Sequence, residues 1–181
     1  MDTIRDELRV TKRSGMFEDM EFDKILKRVK TIGEDHNIKL GFSQLCLKVI
    51  DQLYDTIPTS KIDELMAEQC ASLVSDHPDY GKLAAAVSIS NLHKNTSDSF
   101  YDSMKQLWTF SDVNEKLTPL ISQNLWTVVN GNTKELENMI DYKRDYLIDY
   151  FGLKTLERAY LIRTNKVIVE RPQHMWLRVS I

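Results

Sequence analysis

The chain has 181 residues, of which 42% are hydrophobic and 28% are charged, and its formal net charge is -3. These values are typical of a folded chain with one domain or two small ones, and the slight acidity argues against a general nucleic-acid-binding surface. No apolar run approaches the roughly 20 residues that a transmembrane helix needs, and the N-terminus lacks the apolar segment of a secretory signal. We therefore expect a cytoplasmic protein that binds neither nucleic acid nor membrane.

The first half of the chain is predicted to form a small hairpin followed by four helices. Two strand candidates, 8–12 and 17–21, flank a turn that contains Gly15. Apolar residues then recur at spacings of three and four, which is the period of an amphipathic helix. The four helical patterns begin near Phe22, Ser43, Thr59 and Pro78.

The second half is predicted to be a separate helical unit, entered through the polar segment 95–99. A short strand at 166–169 precedes a terminal helix that Pro172 can start. We therefore divide the chain into domains 1–98 and 99–181. The further helices of the second unit are expected at 100–108, 120–129, 136–140 and 154–162.

Cysteine and histidine give no sign of a metal or redox centre. Cys46 and Cys70 lack C-x-x-C spacing and fall within helical patterns, which favours small buried side chains over reactive thiols. The four histidines form no H-E-x-x-H or similar pair, and no G-x-S-x-G motif joins serine, histidine and acid. We expect no metal, no redox cofactor and no catalytic residue in this chain.

The candidate binding site is a basic cluster at the predicted hairpin turn. Lys12 and Arg13 end the first strand, and Lys24 lies in the first turn of the next helix, where the helix dipole also favours an anion. These side chains suit a polyphosphate, although no GxxxxGK[ST] loop indicates nucleotide hydrolysis. The alternative is an ordinary solvated face, because residues 9–30 hold seven basic and four acidic side chains.

Polar side chains on the third and fourth helices are weaker candidates. Thr59 and Asp63, one turn apart, can recognise an amino group or a sugar hydroxyl, but helix capping by the same residues is the simpler interpretation. Thr59 or Ser60 can supply the cap of the third helix. Asn91 and Lys94 are first interpreted as polar residues at the end of the fourth helix. These alternatives stay open on the residues alone.

Five ordered segments resemble the N-terminal region of the large subunit of class I ribonucleoside-diphosphate reductase, in its eukaryotic and large-DNA-virus branch. The likeness runs from about Leu8 to the last residue, which makes it more specific than any single motif. The segments are VTKRSGMFEDMEFDKILKRV, LYDTIPTSKIDELMAEQCASL, HPDYGKLAAAVSISNLHKNT, IDYKRDYLIDYFGLKTLERAYLIR and ERPQHMWLRVSI.

The resemblance implies a mainly α fold: an ATP-cone, in which a β-hairpin caps a four-helix bundle, followed by a second helical unit. In the family the cone is the overall activity site, where ATP activates and dATP inhibits, here expected with Mg²⁺. The family usually has K-R-D-G at the hairpin turn. This chain has Ser14 in place of the aspartate, and a turn accepts either residue. Carried over by motif, the phosphate contacts are Lys12, Arg13 and Lys94, the residues near the base are Thr59, Asp63 and Asn91, and the pocket lining is Glu18, Asp19, Met20, Glu21, Phe22, Asp23 and Lys24.

In that family the chain continues into a ten-stranded α/β barrel that carries the catalytic cysteines, which Cys46 and Cys70 do not match. The resemblance therefore implies a regulatory piece that is inactive alone. Its implied partners are the rest of the large subunit, the radical-generating small subunit and further copies in a homo-oligomer. The apolar segment 175–181 is expected to pack against the barrel. Two alternatives are a free-standing ATP-cone regulator, without the zinc ribbon of cone-bearing repressors, and a truncated or split gene product.

Overall fold

The computed structural model describes residues 8–181, which form mainly helices with a few short strands, as the sequence predicts. The described chain divides into two compact units. The first contains the chain up to Asn91 together with Asp149–Phe151, and the second contains Leu92–Ile148 and Gly152–Ile181. Between residues 8 and 181, none of the helices combines the length and the apolar character that crossing a bilayer requires.

The first unit begins with the predicted hairpin. Strands β1 (Arg9–Thr11) and β2 (Phe17–Asp19) are antiparallel, and Gly15 takes a φ of +83° in the turn between them. A third strand, β3 (Ile57–Pro58), pairs in parallel with β1, so the strand order is β2-β1-β3. The sequence did not predict β3 because two residues are too few to show a period.

Four helices complete the cone-like first part of the chain, as predicted. The sequence analysis offered Thr59 or Ser60 as the cap of the third helix, and this was wrong. The N-cap residue is Pro58, without a side-chain cap bond, because the helix continues directly from β3 and Thr59 is already helical. The helices are α1 (Phe22–Asp35), α2 (Phe42–Ile50), α3 (Thr59–Ser72) and α4 (Asp79–Asn95).

Close packing in the first unit depends on a glycine in α1. Gly33 is buried, and a Cβ atom placed on it would lie 2.4 Å from the ring of Phe42, the first residue of α2. The predicted burial of Cys46 and Cys70 is confirmed, and burial raises the pKa of the Cys70 thiol to about 12. Both cysteines are therefore core side chains and not reactive thiols.

The second unit packs its helices around Phe100, Met104, Leu107 and Val129. The predicted strand at 166–169 is one arm of a hairpin whose turn, Asn165-Lys166, has positive φ at both residues. The predicted helix at 154–162 begins and ends earlier. The elements are α5 (Phe100–Trp108), α6 (Gln123–Gly131), α7 (Thr133–Asn138), a 3-10 helix (Tyr142–Leu147), α8 (Tyr150–Ala159), β4 (Arg163–Thr164), β5 (Val167–Ile168) and α9 (Pro172–Ser180).

A polar network is buried in the second unit. His174 of α9 is fully buried, its Nε2 lies 2.7 Å from the Tyr142 hydroxyl, and its Nδ1 accepts from the backbone N–H of Arg171. Nε2 therefore carries the proton and donates to Tyr142. Burial lowers the pKa of His174 to about 3, so the ring is neutral at pH 7. Nearby, His93 contacts the buried carboxylate of Asp145 at 2.7 Å.

Candidate functional site

Two of the predicted phosphate ligands share one carboxylate. Glu18, on β2, accepts from Lys12, which follows β1, at 3.0 Å, and also from Lys24 in the first turn of α1. Lys24 in addition contacts Glu21 at 2.8 Å. The antiparallel pairing of β1 with β2 places Lys12 beside Glu18, and the short connection to α1 places Lys24 there as well. The structure thus brings Lys12, Glu18, Glu21 and Lys24 together as one group, the lysine cluster.

Electrostatics within the lysine cluster follows from these contacts. The hydrogen bonds from Lys24 and then Lys12 hold the pKa of the Glu18 carboxyl below its ordinary value. The hydrogen bonds that Lys24 donates to Glu18 and then to Glu21 raise the pKa of its ammonium. All four side chains keep at least a third of their surface exposed, so water and salt screen the attraction. An incoming polyanion can therefore compete with the carboxylates for both lysines.

A second, more buried group surrounds Asp63 of α3. Its carboxylate is only 9% exposed and receives hydrogen bonds from Arg28 of α1 and Arg13 of the hairpin turn. Arg28 is bidentate, with Nε to Oδ1 and Nη2 to Oδ2 both at 2.9 Å, whereas Arg13 Nη2 reaches Oδ2 at 3.4 Å. Two guanidinium groups thus converge on one carboxylate.

The α4 helix contributes two further residues to this second group. Asn91 accepts a hydrogen bond from Arg13 through its Oδ1, and its Nδ2 donates to the backbone carbonyl of Ser60 at 3.2 Å. Arg28 Nη2 donates to the Ser90 hydroxyl at 3.1 Å. We call Arg13, Arg28, Asp63, Ser90 and Asn91 the arginine cluster. It joins the hairpin turn to three helices of the first unit.

The remaining predicted site residues have diverse environments. Met20 is partly buried against the small apolar cluster of Val10, Ile57 and Ile62, so it supports the sheet. Lys94 is exposed in the last turn of α4. Thr59 and Phe22 are half-buried at the first positions of α3 and α1, and Asp19 and Asp23 are exposed. These residues belong to neither the lysine cluster nor the arginine cluster.

Sequence reasoning did not assign Arg28 and Ser90 to the site. A signal for Arg28 was present, because it follows Lys24 by four residues and so lies on the same face of α1. Nothing in the local sequence distinguishes Ser90 from other helical serines. Among residues 8–181, no group of three or more His, Cys, Asp or Glu side chains is placed to hold a metal ion.

Comparison with known proteins gives these clusters a context. Residues 8–95 match the family model described as ATP cone domain, and residues 146–181 match the model described as ribonucleotide reductase, all-alpha domain. Ribonucleoside-diphosphate reductase large subunits are similar to 95% of this chain in Caenorhabditis elegans (43% identity), Dictyostelium discoideum (44%) and Variola virus (41%). The chain is therefore similar over most of its length to ribonucleoside-diphosphate reductase large subunits, and it contains a matched ATP cone domain followed by a match to the reductase all-alpha domain.

The family match confirms the resemblance that the five segments indicated, including its ATP-cone and its second helical part. The chain spans about a fifth of the length of the curated large subunits it matches, from 20% in Dictyostelium discoideum to 23% in Variola virus. Every residue predicted for the site lies inside the range 8–95 of the ATP cone domain. Both the lysine cluster and the arginine cluster are therefore features of a reductase ATP cone.

Proposed function

We propose that residues 8–95 bind ATP or dATP as an allosteric effector, with the lysine cluster as the phosphate site. The observation that carries the proposal is the convergence of Lys12 and Lys24 on Glu18 within a domain matched as an ATP cone. Two ammonium groups held within reach of one side chain can instead hold a triphosphate, which has a higher charge than a carboxylate. Arg13, adjacent to Lys12 in the chain, adds a third cation.

The nucleotide replaces Glu18 as the partner of the two lysines. This exchange is favourable because the pairs with Glu18 are exposed and individually weak. Mg²⁺ arrives with the triphosphate and keeps most of its ligands from phosphate and water, which is usual for this ion. Glu18 and Glu21, freed from Lys24, are the carboxylates of the lysine cluster that would face such an ion in this proposal.

The other predicted residues complete the pocket in this proposal. Asp63 and Asn91, fixed by the arginine cluster, and Thr59 at the start of α3 recognise the base or its neighbourhood, and Lys94 is a further phosphate contact. The preference between ATP and dATP depends on a hydrogen bond to the 2′-hydroxyl, since a polar group that loses its partner lowers affinity. The remaining lining residues are Asp19, Met20, Glu21, Phe22 and Asp23.

The proposed role of the bound nucleotide is control of overall activity in deoxyribonucleotide synthesis. ATP and dATP act by binding two association states with different affinity, because equal binding would shift no population. The partners in this proposal are the rest of the large subunit, the radical-generating small subunit and other copies of the large subunit. We place this function in the cytoplasm.

Titration calorimetry with ATP and with dATP tests the proposal. The parent chain is expected to bind both nucleotides in the presence of Mg²⁺, and a Lys12→Ala, Lys24→Ala double variant is expected to lose this binding. The matched control is Lys27→Ala with Lys30→Ala, which removes the same charge from exposed positions of α1.

A folded parent that binds neither nucleotide would contradict the proposal. So would equal weakening in the test and control variants, because that result would point to general attraction by positive charge. Size-exclusion chromatography of the full large subunit with each nucleotide then examines the association states.

A further inference from the structure

Arg28 is the charged member of the arginine cluster that is not among the proposed nucleotide contacts. It lies on α1 and is three-quarters buried. Its Nε donates to both oxygens of the Asp63 carboxylate, at 2.9 and 3.2 Å, and its Nη2 donates to Asp63 at 2.9 Å and to Ser90 at 3.1 Å. These contacts aim the guanidinium at Asp63.

Two arginines donate hydrogen bonds to the Asp63 carboxylate, and their contributions are unequal. Of the hydrogen bonds that the described residues donate to its carboxylate, three come from Arg28 and one, at 3.4 Å, comes from Arg13. A carboxylate offers a limited number of lone-pair directions, and a planar guanidinium fork fills them best when it is bidentate. Arg28 has this geometry, and the contact of Arg13 with the same carboxylate is the longer one, at 3.4 Å.

The hydrogen bond between Arg13 and Asp63 affects the proposed contact of Arg13 with phosphate. Arg13 must exchange part of its hydrogen bonding for a phosphate when the nucleotide binds. If Arg28 were absent, the buried carboxylate of Asp63 would take the next guanidinium in full, because a buried charge without a close partner is costly. Arg13 would then be held by Asp63 instead of by phosphate.

We propose that Arg28 is a positioning residue for nucleotide binding, which saturates Asp63 and so limits the hold of this carboxylate on Arg13, the proposed phosphate contact. The inference rests on the proposed function and extends it to a residue that does not itself touch the ligand. Ser90 assists by holding the outer nitrogen of Arg28. The effect is carried from α1 through α3 to the hairpin turn.

Substitution of Arg28 by glutamine, which keeps a polar side chain but removes the guanidinium and its charge, is the direct test. Calorimetry with ATP and Mg²⁺ is expected to show binding about tenfold weaker than in the parent, the loss of roughly one charge-assisted hydrogen bond. Lys27→Gln is the matched control, since it removes one positive charge from the exposed neighbouring position of α1. It is expected to bind ATP like the parent.

A second background separates positioning from direct contact. In Asp63→Asn no carboxylate competes for Arg13, so adding Arg28→Gln is expected to change ATP affinity by less than about twofold. Equal weakening in both backgrounds would overturn the inference, because Arg28 would then act on the nucleotide without Asp63. Unchanged affinity of Arg28→Gln in the parent background would also overturn it.

Folding and the proposed function are checked separately. Circular dichroism melting shows whether each variant is folded. If Arg28→Gln does not fold, Arg28→Lys keeps the charge but not the fork, and a folded lysine variant that binds ATP like the parent overturns the inference. A parent that does not bind ATP refutes the proposed function and the inference together, whereas a parent that binds as tightly as Arg28→Gln refutes only the inference.

Discussion

Arg28 and Asp63 form a bidentate ion pair in which two nitrogens of the guanidinium each lie 2.9 Å from a different oxygen of the carboxylate. The pair connects α1 to α3, and Arg13 adds a contact from the hairpin turn. Because Asp63 is 9% exposed and Arg28 is 25% exposed, the interaction is shielded from water more than the lysine cluster is. It is therefore a structural element of the first unit as well as a part of the candidate site.

Removal of this carboxylate is predicted to destabilise the chain. Asp63→Ala leaves two partly buried arginines without this carboxylate, and we expect the free energy of unfolding to fall by about 2 kcal/mol. This loss is smaller than the roughly 3–5 kcal/mol for breaking a fully buried pair, because both arginines retain some exposure. Urea denaturation followed by circular dichroism measures this loss. Glu64→Ala is the control on the same helix, since its exposed pair with Lys61 is worth less than about 1 kcal/mol. A loss for Asp63→Ala no larger than that of the control would contradict the prediction.

Much of the first unit was predictable because its signals are local. The glycine turn between two short strands predicted the hairpin, and the apolar spacing from Phe22 onward predicted the start of α1. Strand β3 was not predictable, since Ile57-Pro58 gains strand geometry only from pairing with β1. The tertiary contact, and not the propensity of those two residues, decides that structure.

The members of the candidate site could be proposed from the sequence, but the contacts between them could not. Charge and position near a turn and a helix start pointed to Lys12, Arg13 and Lys24. The sequence gives no distance between α3 and α1, so the bond of Asp63 to Arg28 depends on how the helices pack. The same limit explains why Asp63 was interpreted as a ligand contact or a capping residue of α3, whereas in the structure it binds two arginines.

Glu18 is predicted to oppose phosphate binding, because it occupies both lysines in the absence of a ligand. Glu18→Gln removes the negative charge with little change of shape, and we expect the affinity for inorganic tripolyphosphate to rise severalfold. Calorimetry at low salt measures the change, which should diminish as ionic strength increases. Glu34→Gln, an exposed acid near the end of α1, is the matched control. Weaker binding in Glu18→Gln would mean that Glu18 contributes to the phosphate site instead of competing with it.

Gly33 is predicted to be intolerant of any side chain because of the ring of Phe42. Gly33→Ala places a Cβ atom 2.4 Å from that ring, and we expect a loss of about 1–2 kcal/mol in the free energy of unfolding, after the gain of roughly 1 kcal/mol in helix propensity. Urea denaturation measures it. Gly41→Ala is the control, because the nearest atom to its Cβ lies 4.0 Å away.

A compensating change tests the cause of this loss. Phe42→Leu shortens the opposing side chain, so the double variant with Gly33→Ala is expected to lose less stability than the two single changes added together. Strict additivity would show that the ring of Phe42 is not the obstacle.

His174 is predicted to make the stability of the chain sensitive to mild acid. Burial lowers its pKa to about 3 in the folded chain, whereas the unfolded chain has the ordinary value of about 6.5. The unfolded state therefore binds the proton first, so the stability present above about pH 6.5 decreases as the pH falls toward 3. Between pH 7 and pH 5 this one group lowers the free energy of unfolding by about 2 kcal/mol.

Denaturation of the parent and of His174→Gln at pH 7, 6 and 5 isolates this contribution. Glutamine keeps hydrogen-bonding capacity toward Tyr142 but does not titrate, so the variant is expected to be less stable at pH 7 and to lose about 2 kcal/mol less than the parent on acidification. His77→Gln is the control, because it makes the same replacement at an exposed histidine. If His174→Gln retains the full acid sensitivity of the parent, other groups titrate in this range and the buried ring of His174 is not responsible.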